Sequence, residues 1–382
     1  MTTTSRTIAT EVLIQVLSHG HSLTAALAQH TGSLKDSRDR ALAKELCFGV
    51  MRQLPRLQAI VTHLMKKPPR EKDTDVFVLL LLGIYQLLHT RLPPHAAVAE
   101  TVAVAGLRKK PWAKGLINAV LRNFQRTHVE LIPAMEREVH VRFAHPRWLV
   151  AEMQTAWPEH WQAILTENNQ QAPMILRVNA RHTSREAYLE RYPDLAAPVP
   201  CTQCGIQLHR ARDVNQIPGF AEGIVSVQDG GAQLAAERLE LAPGQRVLDA
   251  CAAPGGKTAH ILEREPGLAS LVAIEQDPIR LTRLDATLKR LGLEAQLHRG
   301  DAGEPHKWWD GQPFERILLD VPCSGSGIIR RHPDVKFHRR PNDITQYAAT
   351  QARLLKALWP LLAPGGRLLY VTCSVLPREN QQ

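Results

Sequence analysis

The chain has 382 residues, 44% of them hydrophobic and 22% charged, with a net charge of +10. That composition excludes a disordered or fibrous chain, and the length predicts two or three domains at about 100–200 residues apiece. The longest apolar run, residues 76–88, falls short of the ~20 residues that span a bilayer, so it reads as a buried helix and no membrane partner is expected.

The opening stretch MTTTSRTIATEV lacks a basic segment followed by an apolar one, which argues against a secretion signal. Six scattered cysteines (Cys47, Cys201, Cys204, Cys251, Cys323 and Cys373) favour reduced thiols in the cytoplasm over a disulfide framework. The charge is uneven. Residues 1–140 hold 19 Lys and Arg against 11 Asp and Glu, a surplus of eight, and residues 141–382 a surplus of two. A basic excess favours a polyanion such as nucleic acid as partner, with solubility as the plainer reading.

In chain order, residues 1–140 read as an all-α domain. TIATEVLIQVL, ALAKELCFGVMRQL, VFVLLLLGIYQLL and GLINAVLRNF repeat apolar residues at i, i+3 and i+4. Breaks are expected at Gly20, Gly32-Ser33, Lys67-Pro68-Pro69 and Pro93-Pro94, and Asp36, Ser37 and Asp39 are candidate N-caps. Residues 141–225 read as a small connecting α+β region with a strand at MILRVNA. Residues 226–382 alternate strand and helix: RVLDACA, SLVAIEQ, AQLHRGD, RILLDVP and RLLYVTC are strands separated by helices. This pattern predicts an α/β domain whose parallel sheet is covered on both faces.

Ligands of such sheets bind beyond the carboxyl ends of the strands. After the first strand stands DACAAPGGKT, where Gly255 and Gly256 would let the backbone pass close to a ligand. Gly256-Lys257-Thr258 matches the tail of a phosphate loop, but Cys251 stands where that loop needs its leading glycine. Glu275 ends the second strand, where a carboxylate accepts from ribose hydroxyls, and Asp301 ends the third, where one could meet an adenine amine. Polar strand ends are the plainer reading of each. Together with the glycine loop they predict a nucleoside ligand.

Cys323 follows Asp320-Val-Pro at the end of the fourth strand, and Cys373 follows Val371-Thr at the end of the fifth. A single such thiol is commonly a small core residue. Two beside a nucleoside pocket suit covalent catalysis on a pyrimidine: one thiol adds to carbon 6, activating carbon 5, and the adduct must later be released. Asp320 would serve as the acid near ring nitrogen 3, and Lys257 is the candidate cation for activating a thiol.

These motifs, DACAAPGGKT with Glu275, RGD with Asp301, LLDVPCSGSG and YVTCSVLPREN, resemble the RNA cytosine-5 methyltransferases. The segments DRALAKELCFGVMR, LPPHAAVAETV and KGLINAVLRNF are similar to NusB, an RNA-binding antitermination protein. The resemblance spans nearly the whole chain. It implies a NusB-like helical domain (1–140), the connecting region (141–225) and a class I, Rossmann-like S-adenosylmethionine-dependent methyltransferase domain (226–382). It also implies Cys373 as nucleophile, Cys323 as the residue of product release, and a cofactor site at Cys251, Ala252, Ala253, Pro254, Gly255, Gly256, Lys257, Glu275, Asp301 and Asp320. Many relatives carry Asp where Glu275 stands, and the longer carboxylate still reaches a ribose. The DNA cytosine-5 enzymes attack from a Pro-Cys motif, which is the rival thiol assignment.

The implied activity is methylation of carbon 5 of a cytosine in small-subunit (16S) ribosomal RNA, at position 967 in the resembled members. Alternatives are another ribosomal or transfer RNA site, or a non-catalytic NusB-like RNA-binding factor with a decayed second domain. Residues 328–340 hold Arg330, Arg331, Lys336, Arg339 and Arg340, which with Lys257 are the expected RNA contacts, a solvated basic face being the plainer reading. Arg108-Lys109-Lys110 and Lys114 are a second candidate patch. Cys201-x-x-Cys204 is half a zinc site with no second pair at suitable spacing, so no metal is expected. Nothing in the sequence points to an oligomeric state. The chain stops nine residues after Cys373, where the family pattern continues with a helix and two strands, so an exposed last strand is expected.

Overall fold

The structure, a computed structural model, describes residues 4–65, 67 and 69–381; the break expected at Pro68 lies outside them, as does Gln382. Among the described residues nine α-helices come first: α1 (Ser5–His19), α2 (Leu23–His30), α3 (Ser37–Leu64), α4 (Thr74–His89), α5 (Pro94–Leu107), α6 (Ala113–Met135), α7 (Val139–Arg142), α8 (Arg147–Ala156) and α9 (Trp161–Asn168). Then follow β1 (Ile175–Val178), α10 (Arg185–Arg191), β2 (Ala196–Pro198), β3 (Gly205–Leu208), β4 (Val225–Val227) and α11 (Gly230–Arg238). The rest comprises β5 (Arg246–Ala250), α12 (Gly256–Arg264), β6 (Ser270–Glu275), α13 (Pro278–Arg290), β7 (Gln296–Arg299), β8 (Phe314–Asp320), α14 (Val335–His338), α15 (Pro341–Leu358) and β9 (Leu362–Val371).

Two compact units result. The first holds residues 1–171 together with 325–343 and 374–377, so its boundary lies beyond residue 140. Its core is the apolar face of α1 to α6, with Leu13, Leu46, Leu57, Leu80, Ile117 and Phe124 essentially without solvent contact. Asp36 is the N-cap of α3, accepting from the Arg38 amide at 2.8 Å. This helix runs through Pro55 to Leu64. Proline deletes one intrahelical bond, but Leu54, Leu57 and Ile60 on either side are buried, and their burial outweighs it.

The basic segment 328–340 belongs to this helical unit, which corrects one expectation. Lys336 is no RNA contact: it is 1% exposed and its ammonium donates to the carbonyls of Arg52 (2.9 Å) and Ala144 (2.8 Å) and to Asn169 Oδ1 (3.0 Å). An ammonium leaves water only where acceptors replace its hydration, and three do so here. Phe337 packs on the helical core, and Asp334 Oδ2 accepts from the Leu23 amide at the start of α2 (2.9 Å). In the second basic patch Arg108 pairs with Glu11 and Asp75, and Lys110 with Asp73 and Asp75, leaving Lys109 and Lys114 as its exposed cations.

The second unit spans residues 172–324, 344–373 and 378–382. A four-stranded antiparallel sheet, β2-β3-β1-β4, buries Leu176, Val178, Ile206 and Leu208 against Tyr188 of α10. The parallel sheet has the order β7-β6-β5-β8-β9, so among the described residues β9 lies at an edge, as expected. Strand alternation divides its core. Val247, Leu271, Ala273 and Leu318 face α11, α12 and α13, whereas Leu248, Val272, Ile317 and Leu319 face α15 through Leu354 and Leu358. Register brings the strand ends level: Ala250 opposes Ile274 and Leu319, and Asp320 opposes Val371. One edge of the sheet therefore carries Cys251, Glu275, Asp320, Cys323 and Cys373. Among the described residues no helix is long and apolar enough to cross a membrane.

Candidate active site

The turn after β5 is set by backbone conformation. Cys251 has φ +63° and Gly255 has φ +95°. A Cβ on Gly255 would also press on Leu284 of α13 at 3.2 Å, so that glycine serves the turn and its packing. Space for a Cβ remains at Gly256, whose carbonyl accepts from Arg177 (2.8 Å). α13 ties the turn down, with Arg280 donating to the Ala253 carbonyl (2.6 Å) and Thr287 to that of Pro254 (3.0 Å). Burial, followed by the charges of Glu275, Asp320 and Asp249, pushes the Cys251 thiol up to about 12, so it is an uncharged wall of the turn.

Beside the turn lies Glu275, 2% exposed, its Oε1 accepting from the Asp277 amide (3.0 Å). Its Oε2 makes no hydrogen bond and has a 3.5 Å ion contact with Arg280. A buried carboxylate oxygen lacking a donor fits a ligand hydroxyl, as the ribose of S-adenosylmethionine offers. Asp301 is more fully engaged: Oδ1 accepts from the Gly303 amide (2.8 Å), and Arg353 lies 3.0 Å from Oδ2. Arg280 and Arg353, neither singled out by the sequence, thus act on Glu275 and Asp301, two of the three expected cofactor carboxylates.

At the ends of β8 and β9 the sulfurs of Cys323 and Cys373 are 3.1 Å apart, both cysteines being free. The Cys373 amide donates to Cys323 Sγ (3.4 Å). Lys257, from the first turn of α12, pairs with Asp320 at 2.5 Å. The expected activation by Lys257 is thereby opposed. Its charge draws the Cys373 thiol down, but the hydrogen bond with Cys323, burial and the charge of Asp320 prevail and hold it well above the ordinary range. To attack, the Cys373 thiol must give up its proton, and Cys323 Sγ lies 3.1 Å from it.

The expected RNA contacts separate. Arg330 is half-buried, reaching Glu167 at 3.3 Å and the Gln171 carbonyl at 3.2 Å. Arg331 and Arg339 are half-buried and Arg340 is exposed. Asp249, which the sequence reading left without a role, is fully buried under the turn, its Oδ2 accepting from Thr258 (2.6 Å). Arg177 was also missed. It is 1% exposed, grips Glu263 with two nitrogens (2.7 and 2.8 Å) and also reaches Gln228.

Residues 236–382 match the family described as 16S rRNA methyltransferase RsmB/F, residues 3–126 the NusB family, and residues 145–215 the ferredoxin-like domain of RsmF/B-like methyltransferases. The chain is 53% identical over 380 residues, 99% of its length and 87% of the relative's, to ribosomal RNA small subunit methyltransferase B of Pseudomonas putida. It resembles the crystal structure of PH0851 with a TM-score of 0.80 at 21% identity, covering 100% of this chain and 88% of that one. A methyltransferase homologue from Pyrococcus horikoshii is 29% identical with a TM-score of 0.56, covering 63% and 78%. The chain therefore belongs to the RsmB/F methyltransferases, with an N-terminal NusB domain, a ferredoxin-like domain and an S-adenosylmethionine-dependent catalytic domain.

Proposed function

We propose that this protein methylates carbon 5 of a cytosine in 16S ribosomal RNA, at position 967, in the cytoplasm, through a covalent adduct with Cys373. The observation that carries this reading is the 3.1 Å separation of two thiols, in no disulfide, at the ends of neighbouring strands β8 and β9, of which β8 lies beside the strand that leads into the glycine turn.

S-adenosylmethionine, when bound, supplies the methyl group as an electrophilic carbon. Cys251 to Lys257 would line its site, with Glu275, Asp301 and Asp320 as its polar partners. Cys373 Sγ adds to carbon 6 of the cytosine while its proton passes by way of Cys323 Sγ to water, and the proton shared by Lys257 and Asp320 meets the negative charge developing at ring nitrogen 3. Lys257, held by Asp320, faces the negative charge of the base and its phosphate. After methylation Cys323 Sγ or a water takes the proton on carbon 5, the electrons of that bond re-form the carbon 5–carbon 6 double bond, and the carbon 6–sulfur bond breaks to return the Cys373 thiolate, which regains its proton from water. Cys323 assists this release. The target base must leave its stack to reach both sulfurs.

Trapping tests the assignment. With ribosomal RNA and S-adenosylmethionine, Cys323→Ala is expected to accumulate a covalent protein–RNA adduct on denaturing gels, and Cys373→Ala to form none. The amide of Cys373 donating to Cys323 Sγ favours the opposite assignment, in which the Pro-Cys thiol attacks. Reversal of the trapping pattern would establish that second reading, and mapping of the methylated nucleotide tests the site.

A further inference from the structure

Both thiol-bearing turns converge on one short segment the chemistry above does not use, Pro377-Arg378-Glu379-Asn380. Glu379 is 1% exposed. Its Oε1 accepts from the Ser324 amide (2.7 Å) and from Gln351 Nε2 (3.2 Å), and its Oε2 from the Ser324 hydroxyl (2.5 Å). Gln351 Nε2 also donates to the Pro322 carbonyl (3.0 Å). The residues on both sides of Cys323 are therefore fastened to one buried carboxylate, directly at Ser324 and through Gln351 at Pro322. The Tyr370 hydroxyl closes the ring, its one proton shared between the Glu379 carbonyl (3.0 Å) and Gln351 Oε1 (3.1 Å). The neighbouring Asn380 holds the other turn, its Oδ1 accepting from the hydroxyl of Thr372, the residue before Cys373 (2.7 Å).

We propose that Glu379 and Asn380 form a clamp that sets the distance between the two catalytic sulfurs, with Glu379 the positioning residue for Cys323 and Asn380 for Cys373. The proposal rests on the thiol roles given above. Its physical content is that Pro322-Cys323-Ser324 lies beyond Asp320, where the register of β8 with β9 ends, so the position of its sulfur depends on how this turn is anchored. A carboxylate receives the Ser324 amide and hydroxyl on separate oxygens. A glutamine presents one acceptor oxygen and an amide donor, and cannot grip both groups in the same way.

Single-turnover reactions on the full-length protein separate adduct formation from adduct release. Glu379→Gln is expected to slow release about tenfold and Glu379→Ala about a hundredfold, with adduct formation and S-adenosylmethionine affinity near wild type. Asn380→Ala should show the converse, slowed adduct formation with release unchanged. Release at the wild-type rate in both Glu379 variants overturns the clamp, as does equal slowing of both steps. Where Glu379→Ala fails to bind the cofactor, the isosteric Gln variant carries the result. A wild-type protein that forms no adduct would defeat the proposed chemistry instead, and iodoacetamide labelling then judges the clamp. Faster labelling of Cys323 in Glu379→Gln supports it, and an unchanged rate overturns it.

Discussion

Asp249 shows how one buried group couples the glycine turn to pH. Burial, opposed by the Thr258 hydrogen bond, raises its carboxyl to about 7, and Oδ1 has no donor. Its unfolded value is near 3.9, so between about pH 4 and 7 the folded chain holds a proton that the unfolded chain has released. Stability contributed by the neutral acid is present below that window and is lost as pH rises through it. Asp249→Asn should remove this slope. Between pH 5 and pH 8 the wild type is expected to lose more stability in urea unfolding than the variant, by a difference on the order of a few kcal/mol. Parallel profiles would show that the carboxyl titrates normally.

At the scale of elements, α14 is four residues long and has no helical stability of its own. It holds its place because Lys336 is buried, and Phe337 half-buried, in the helical unit. Burial and the charge of Arg52 draw the Lys336 ammonium well below its ordinary value, yet three oxygens still receive it. Lys336→Ala would strand those acceptors and leave a void, costing about 3 kcal/mol. Denaturant unfolding followed by helical ellipticity checks the loss. Substitution of exposed Arg340 should cost under about 0.5 kcal/mol in the same assay. The expectation for this segment failed at Lys336 for a plain reason. A run of Arg and Lys reads alike whether its charges meet phosphate or protein carbonyls, and only packing distinguishes the two.

For the molecule as a whole, the basic surplus of residues 1–140 bears on RNA affinity through counterion release. Arg108 and Lys110 are committed to Asp73, Asp75 and Glu11, so Lys109 and Lys114 are the cations of that patch free to meet phosphate. Lys109→Gln with Lys114→Gln should lower RNA affinity and reduce the slope of log affinity against log salt by about 0.7–0.9 per lost contact. Cofactor affinity, measured by calorimetry, is expected to stay unchanged. A salt slope equal to the wild type's would remove the patch from the RNA-binding surface.

The all-α character of the N-terminal domain, the alternation of β5 to β9 with helices, the parallel sheet and the strand-end positions of Glu275, Asp320, Cys323 and Cys373 were legible in the sequence, whereas β2, β3 and β4 were not. Periodicity encodes which face a residue presents, and strand ends follow from where the apolar runs stop. The motif YVTCSVLPREN was legible as well, but without roles for Glu379 and Asn380. Their function depends on Ser324 and Thr372, which lie elsewhere in the chain or across a turn, and no local pattern encodes that meeting. The tertiary structure alone decided the 3.1 Å approach of the sulfurs, the pairing of Lys257 with Asp320 and the burial of Lys336, because each depends on which strands lie side by side or which surfaces pack.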